Sequence, residues 1–180
     1  LITLLLVLGS SHLALADVIE VDPAGNADAD TIAGGLLLAA DGDVVDVRSG
    51  HYLESVTVPP GVTLRAADSA VVRIIGAVWS EPAVTLSASS TLDGVTVYGG
   101  GPGLSYLWAG DGGPEGLLIT DVLIEASYGA GLQVQGAPAG AAGLDLSLRR
   151  SEILRPAGAG VDLDLTPTSG PGGVNSTVAI

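Results

Sequence analysis

Three six-residue stretches of this chain share one pattern: Leu92-Asp-Gly-Val95-Thr-Val97, Ile119-Thr-Asp-Val122-Leu-Ile124 and Leu148-Arg-Arg-Ser151-Glu-Ile153. Their first residues lie 27 and 29 positions apart. Each is followed by a second short run, at Gly103-Leu-Ser-Tyr106, Gly131-Leu-Gln-Val134 and Gly160-Val-Asp-Leu163, and these start 28 and 29 positions apart. Two strand columns with a common interval define a supersecondary unit that repeats, and a unit of this length built from short strands reads as one rung of a β-solenoid. Upstream the interval persists only in fragments, as Leu64 before Leu92 and Val56 before Val84. A β-sandwich also places short strands at regular spacing, but it does not account for the shared register.

In such a coil each strand pairs in parallel with its counterpart one rung away, about 4.8 Å distant, so like positions stack. Leu132, Val134, Val161, Leu163 and Leu165 are expected to face inward, with Gln133, Gln135, Asp162 and Asp164 outward. The composition agrees: 27 Gly for the corners, no Phe, and only two Trp and four Tyr. Little interior room is expected for large rings, and glycine before each second strand is expected to supply positive φ. Short β-type runs are expected at 18–22, 44–48, 56–58, 62–65, 71–75, 84–87 and 92–97, with loops at 99–103 and 110–116. The pattern predicts a single helix, 32–40, entered through Asp30 or Thr31 and stopped by Gly42. It would plug the exposed strand edges at the start of the coil. The run 174–180 reads as the opening of another rung, so the coil is expected to be truncated at its C-terminal end.

Residues 1–16 read as an export signal that lacks its front: Leu-Ile-Thr-Leu-Leu-Leu-Val-Leu, then Gly, Ser and His12, then Ala14-x-Ala16 as the small-residue cleavage site. The apolar run is too short for a spanning helix. Residues 17–180 are then one β-helix domain, secreted, periplasmic or at the cell surface. Twenty acidic against six basic residues, a net charge of −14, exclude nucleic acid and anionic membrane surfaces as partners. The absence of Cys excludes a disulfide scaffold. Strands of four to six residues also fail to span a bilayer as a barrel.

The segment Asp41-Gly-Asp-Val-Val-Asp-Val-Arg-Ser-Gly50-His-Tyr52-Leu-Glu54, after the helix, resembles the opening of right-handed parallel β-helix proteins of the pectin-lyase-like superfamily. The resemblance implies an all-β, right-handed parallel β-helix with a short N-terminal capping helix. It carries over no catalytic residue. The Asp-Phe-Ile-Phe-Gly of pectin methylesterases, the Asn-Thr-Asp of polygalacturonases and the Arg-x-Pro-x-x-Arg of pectate lyases all lack counterparts here. The expected function is therefore an exported β-helix repeat protein presenting a carbohydrate- or partner-binding face. The alternative is a polysaccharide lyase, esterase or hydrolase whose catalytic rungs lie mostly outside this chain.

The candidate face consists of Ser105, Gln133, Gln135, Asp162 and Asp164, with Arg149. Asp162 and Asp164 alternate on one strand, so their carboxylates emerge about 6–7 Å apart, a spacing that suits acid/base work, Ca²⁺, or plain solubilising charge. Asn26-x-Asp28-x-Asp30 places oxygen ligands at alternate positions as a Ca²⁺ loop does, without its Gly and distal Glu; Ca²⁺ is the one cofactor considered. Arg149, Arg150 and Arg155 form the basic cluster, to pair either with a sugar carboxylate or with neighbouring Asp145 and Glu152. Tyr106, Trp108 and Tyr128 are read as stacking on sugar rings or covering the side of the coil.

Overall fold

The computed structural model describes residues 15–108, 115–136, 144–165 and 176–179, which form an all-β parallel solenoid of about 5 turns. The leader reading at 1–14, His12 included, lies outside the described residues. Sheet 1 stacks β1 (Val18–Val21), β2 (Val44–Val47), β5 (Thr63–Ala66), β8 (Thr91–Asp93), β11 (Glu115–Thr120), β14 (Leu144–Arg149) and β17 (Ser176–Ala179) in that order. Sheet 2 stacks β3 (Gly50–Leu53), β6 (Val72–Ile75), β9 (Val95–Tyr98), β12 (Leu123–Glu125) and β15 (Glu152–Leu154). Sheet 3 stacks β4 (Val56–Val58), β7 (Val84–Leu86), β10 (Leu104–Trp108), β13 (Leu132–Gly136) and β16 (Val161–Leu165). Every pairing is parallel, so each turn contributes one strand to each sheet.

The repeat seen in the sequence is the register. Leu64, Leu92, Ile119 and Leu148 stand in one ladder, Val97, Ile124 and Ile153 in a second, and Leu104, Leu132 and Val161 in a third. The step is not constant, however. Val44 pairs with Thr63, 19 positions on, and Val84 pairs with Leu104, 20 positions on. Shorter corners in the early turns move the partner away from a fixed interval, which is why self-comparison fades there.

The run 92–97 is two strands around a corner at Gly94 (φ +68°). Gly94 donates its amide to the Thr120 carbonyl, Asp121 donates to that of Arg149, and Asp121 and Arg150 hold the same left-handed backbone with φ of 53° and 49°. Gly99, Ala126 and Arg155 form a second left-handed column, with φ of 71°, 54° and 53°. Most left-handed corners after residue 100 therefore carry side chains, at a cost of about 1–2 kcal/mol each relative to an unstrained backbone. The glycines before the second strands serve another purpose. Gly103, Gly131 and Gly160 do not have positive φ; a Cβ on Gly131 would fall onto the Ile153 side chain and 2.8 Å from the Gly160 carbonyl oxygen. Close approach between rungs, not chain reversal, excludes a side chain at Gly103 and Gly131, whereas the space around Gly160 is open.

The interior is lined by aliphatic ladders, but it also holds rings. Tyr52, Tyr106 and Trp108 are buried, correcting the expectation of a ring-free core and of Tyr106 and Trp108 as surface platforms. Gly136 stands opposite Trp108 in the next rung, and a Cβ there would collide with the Trp108 backbone and Cβ, so the two rungs approach closely at this point. Leu132 and Val134 are fully buried as expected, while Leu163 is 41% exposed because β16 is the last strand of its sheet. Nothing is described of the Leu165 side chain.

The helix, α1 (Ile32–Leu38), ends two residues earlier than expected, Ala39 being already extended. Thr31 rather than Asp30 caps it, its hydroxyl accepting from Gly34 N at 3.0 Å. Gly35 faces Val21 and Val45 so closely that a Cβ would meet both, which seats the helix on β1 and β2 with Ile32 and Leu36 buried. The Gly50-x-Tyr52-x-Glu54 corner completes this cap. Tyr52 donates its hydroxyl to the Arg48 carbonyl at 2.9 Å, and burial pushes its pKa up to about 12. The Glu54 carboxylate accepts from Ile32 N and Ala33 N at 3.0 and 2.9 Å, satisfying two amides that the helix leaves open.

Two expectations follow. Gly131→Ala should lower stability by about 1–3 kcal/mol in urea titrations, as overpacking does, whereas Gly160→Ala should stay within about 0.5 kcal/mol. Trp108 should resist acrylamide quenching in the native state, and Trp79, which is 73% exposed, should not; Trp79→Phe should leave only the protected emission.

Candidate functional site

Parallel stacking turns single outward residues into rows. On sheet 3 the row Thr57, Thr85, Ser105, Gln133 and Asp162 runs across five strands, with Leu107, Gln135 and Asp164 beside it. Five of the six candidate residues thus share one face. Ser105, Gln133 and Asp162 are half-buried, Gln135 and Asp164 exposed, and none has a side-chain hydrogen bond among the described residues. Leu107 interrupts the outer row of the face with a side chain 71% exposed.

Arg149 lies elsewhere, at the end of β14 on sheet 1, where the outward surface is hollow. A groove of about 330 Å³ runs across β8, β11 and β14, lined by Ser89, Ser90, Thr91, Gly116, Leu117, Leu118, Asp145, Ser147 and Arg149. Register explains its shape. Thr91, Leu118 and Ser147 form its central row, while Gly116 stands opposite Asp145 with open space where a side chain would be. Gly116 belongs to β11, not to the loop expected at 110–116, and a glycine inside a strand marks such a hollow. The sequence reading missed Ser89, Thr91 and Ser147 because their convergence depends on which rungs stack.

The arginines pair across turns rather than along the chain. Arg48 binds Glu20 (2.6 Å) and Asp22 (3.0 Å), and Arg65 binds Asp46 (2.6 Å). Arg73 reaches Glu125 (3.4 Å) and lies 4.3 Å from the centre of the Tyr98 ring, Arg155 also binds Glu125, and Arg150 grips Asp121 with Nε at 2.7 Å. Arg149 alone has no carboxylate partner among the described residues; its Nε donates to Ser147 Oγ at 3.0 Å. The expected pairing with Asp145 fails for a geometric reason. Four residues of extended strand separate the two by about 13 Å, so they stand at opposite ends of the groove.

The loop candidates Asn26, Asp28 and Asp30 do not converge. Asp28 accepts from Glu20 N at 2.9 Å, Asn26 leans on Asp22, and Asp30 is exposed. Among the described residues no three His, Asp or Glu gather closely enough to hold a metal ion. Tyr128, 66% exposed, is the one member of the aromatic trio at the surface. No helix among the described residues is long and apolar enough to cross a membrane.

Fold and surface together define a parallel β-solenoid with a row of polar residues on one sheet and a groove of hydroxyls and leucines on another. Comparison with protein-family models finds no match, and comparison with curated proteins finds none.

The corner pair Asp121–Arg150 has a pH signature. The hydrogen bond from Arg150 holds the Asp121 carboxyl below its ordinary 3.8. A depressed folded-state pKa contributes stability that is complete above the unfolded value and is lost as pH falls through the folded one. Asp121→Asn should therefore be less stable than the parent near pH 7, and urea titrations should show the gap closing as pH drops below about 3.8.

Proposed function

We propose that this chain is an exported or cell-surface β-solenoid, of the pectin-lyase-like kind, that holds a neutral polysaccharide along the outward groove of sheet 1. The observation that carries the reading is Arg149, unpaired by any carboxylate among the described residues and set at the rim of a groove with Ser147, Thr91 and Ser89. Its guanidinium offers several donors in a fixed plane, and Asp145 at the far end offers acceptors. A sugar diol presents both kinds of partner, and the volume suits one or two sugar units. The net charge of −14 decides against a polyanionic glycan, which the protein as a whole repels. Export is supported by the leader pattern of residues 1–16, and the superfamily by the Gly50-x-Tyr52-x-Glu54 corner.

Affinity electrophoresis of the purified protein through neutral and polyuronate gels tests this. Retardation is expected in at least one neutral glycan, insensitive to salt. Arg149→Ala should weaken it about tenfold or more, the value of a hydrogen bond from a charged group. Equal migration in every gel, a salt-sensitive preference for polyuronates, or unchanged binding by the variant would overturn it. Release of reducing or unsaturated ends from the same glycans would move the protein to the enzyme class.

A further inference from the structure

One backbone nitrogen at the start of the coil is held by a buried carboxylate. Asp17 precedes β1; its carbonyl accepts from Val44 N at 2.9 Å and its amide nitrogen donates to Asp43 Oδ1 at 2.9 Å. Asp43 Oδ2 accepts from Ala40 N at 2.8 Å. Asp43 is 9% exposed, and the backbone hydrogen bonds from Ala40 and Asp17 hold its carboxyl below the ordinary carboxylate value. It has no cationic partner among the described residues. The charged residues on the surrounding elements are Asp17 itself and Glu20 near and on β1, Asp41 in the same turn, Asp46 on β2 and Arg65 on β5, which is bound to Asp46, while α1 carries none. The nearest cation along the chain, Arg48, is bound to Glu20 and Asp22. Leu15, before Asp17, is 87% exposed, and neither Leu15 nor Ala16 makes a hydrogen bond among the described residues. The nitrogen that Asp43 holds is that of the Ala16–Asp17 bond, the bond that Ala14-x-Ala16 marks as a cleavage site.

We propose that the Ala16–Asp17 peptide bond is the processing site of this protein and that the α-ammonium it liberates docks on the Asp43 carboxylate as its missing cation. The proposal rests on the export reading. In the cleavage, water adds across the amide under a peptidase of the export machinery. The C–N bond breaks, the water oxygen joins the Ala16 carbonyl carbon, and the products at neutral pH are the Ala16 carboxylate and the Asp17 ammonium. The nitrogen keeps its place because the Asp17 carbonyl and β1 fix it. Its hydrogen bond to Oδ1 then joins two ions, which is shorter and roughly twice as strong as a neutral one. Removal of the leader thereby adds a positive charge at an end of the coil that is otherwise acidic. Pairing raises the α-amino pKa above its usual value of about 7.7–8.0, so the stabilisation is complete below that value and is lost as pH rises through the raised one.

Two measurements test it. The full chain behind an initiator Met and a short Lys-rich start, which supplies the basic front the leader lacks, expressed in an exporting bacterium, should yield a product whose N-terminal sequence starts at Asp17. Separately, the chain from Asp17, released from a cleavable fusion, should be compared with its Nα-acetylated form, which keeps the N–H but not the charge. The free-amine form should unfold roughly 2–4 °C higher near pH 6. That gap should close above about pH 9 and vanish in Asp43→Asn. A product beginning elsewhere overturns the processing site, and one retaining the leader overturns the export reading with it. A gap that is absent near pH 6, or unchanged in alkali, overturns the ammonium pair alone, wherever the leader is cut.

Discussion

Everything in this molecule depends on stacking of each residue on its counterpart one turn away. The hydrogen bonds between turns are parallel and in register, so a side chain's closest neighbours belong to the turns before and after, not to its own strand. The energetic consequences follow directly. Aliphatic side chains meet like side chains and form continuous apolar columns, while a charge meets whatever its counterpart carries. The arginines illustrate this: Arg65 binds Asp46 directly across the register, and Arg150 binds the corner residue of the preceding turn. Arg149 faces Thr120 instead of a carboxylate, and for that reason its guanidinium is left to other partners.

The same rule separates what a reader of the sequence sees from what is hidden. The ladders through Leu92, Ile119 and Leu148 were legible because three consecutive turns keep nearly one length. The early turns were not, since steps of 19 and 20 residues break the interval while preserving the pairing. The burial of Trp108 is not legible in its own strand, because which side of the rung is covered depends on its neighbours in the turns above and below, Gly136 among them. The groove escaped notice similarly: Gly116, Thr91 and Ser147 look unremarkable in their separate segments and meet only once β8, β11 and β14 are aligned. The row of Ser105, Gln133 and Asp162 is legible in the sequence because it lies within the regular turns.

The N-terminal end shows a different economy of means. Two side chains, the Thr31 hydroxyl and the Glu54 carboxylate, satisfy backbone amides that a helix of seven residues leaves open, and the Tyr52 hydroxyl fastens the same corner to the Arg48 carbonyl. A helix so short has little stability of its own. It is held because Gly35 lets it lie against Val21 and Val45, and because its amides are received by a corner of the first turn. The Gly-x-Tyr-x-Glu motif is therefore a structural fastening, which accounts for its carrying a resemblance of fold without any chemistry.

The unequal length of the turns bears on how such a protein changes over time. A step of 19 residues and a step of 28 join adjacent strands of the same sheet equally well, so the corners absorb the difference and the ladders do not sense it. An insertion at a corner would project as a side arm, and a deletion would trim one, with no shift in the pairing of any later strand. Lineages built on this coil can accordingly remodel their edges by gaining and losing loops while the shaft that displays them stays the same.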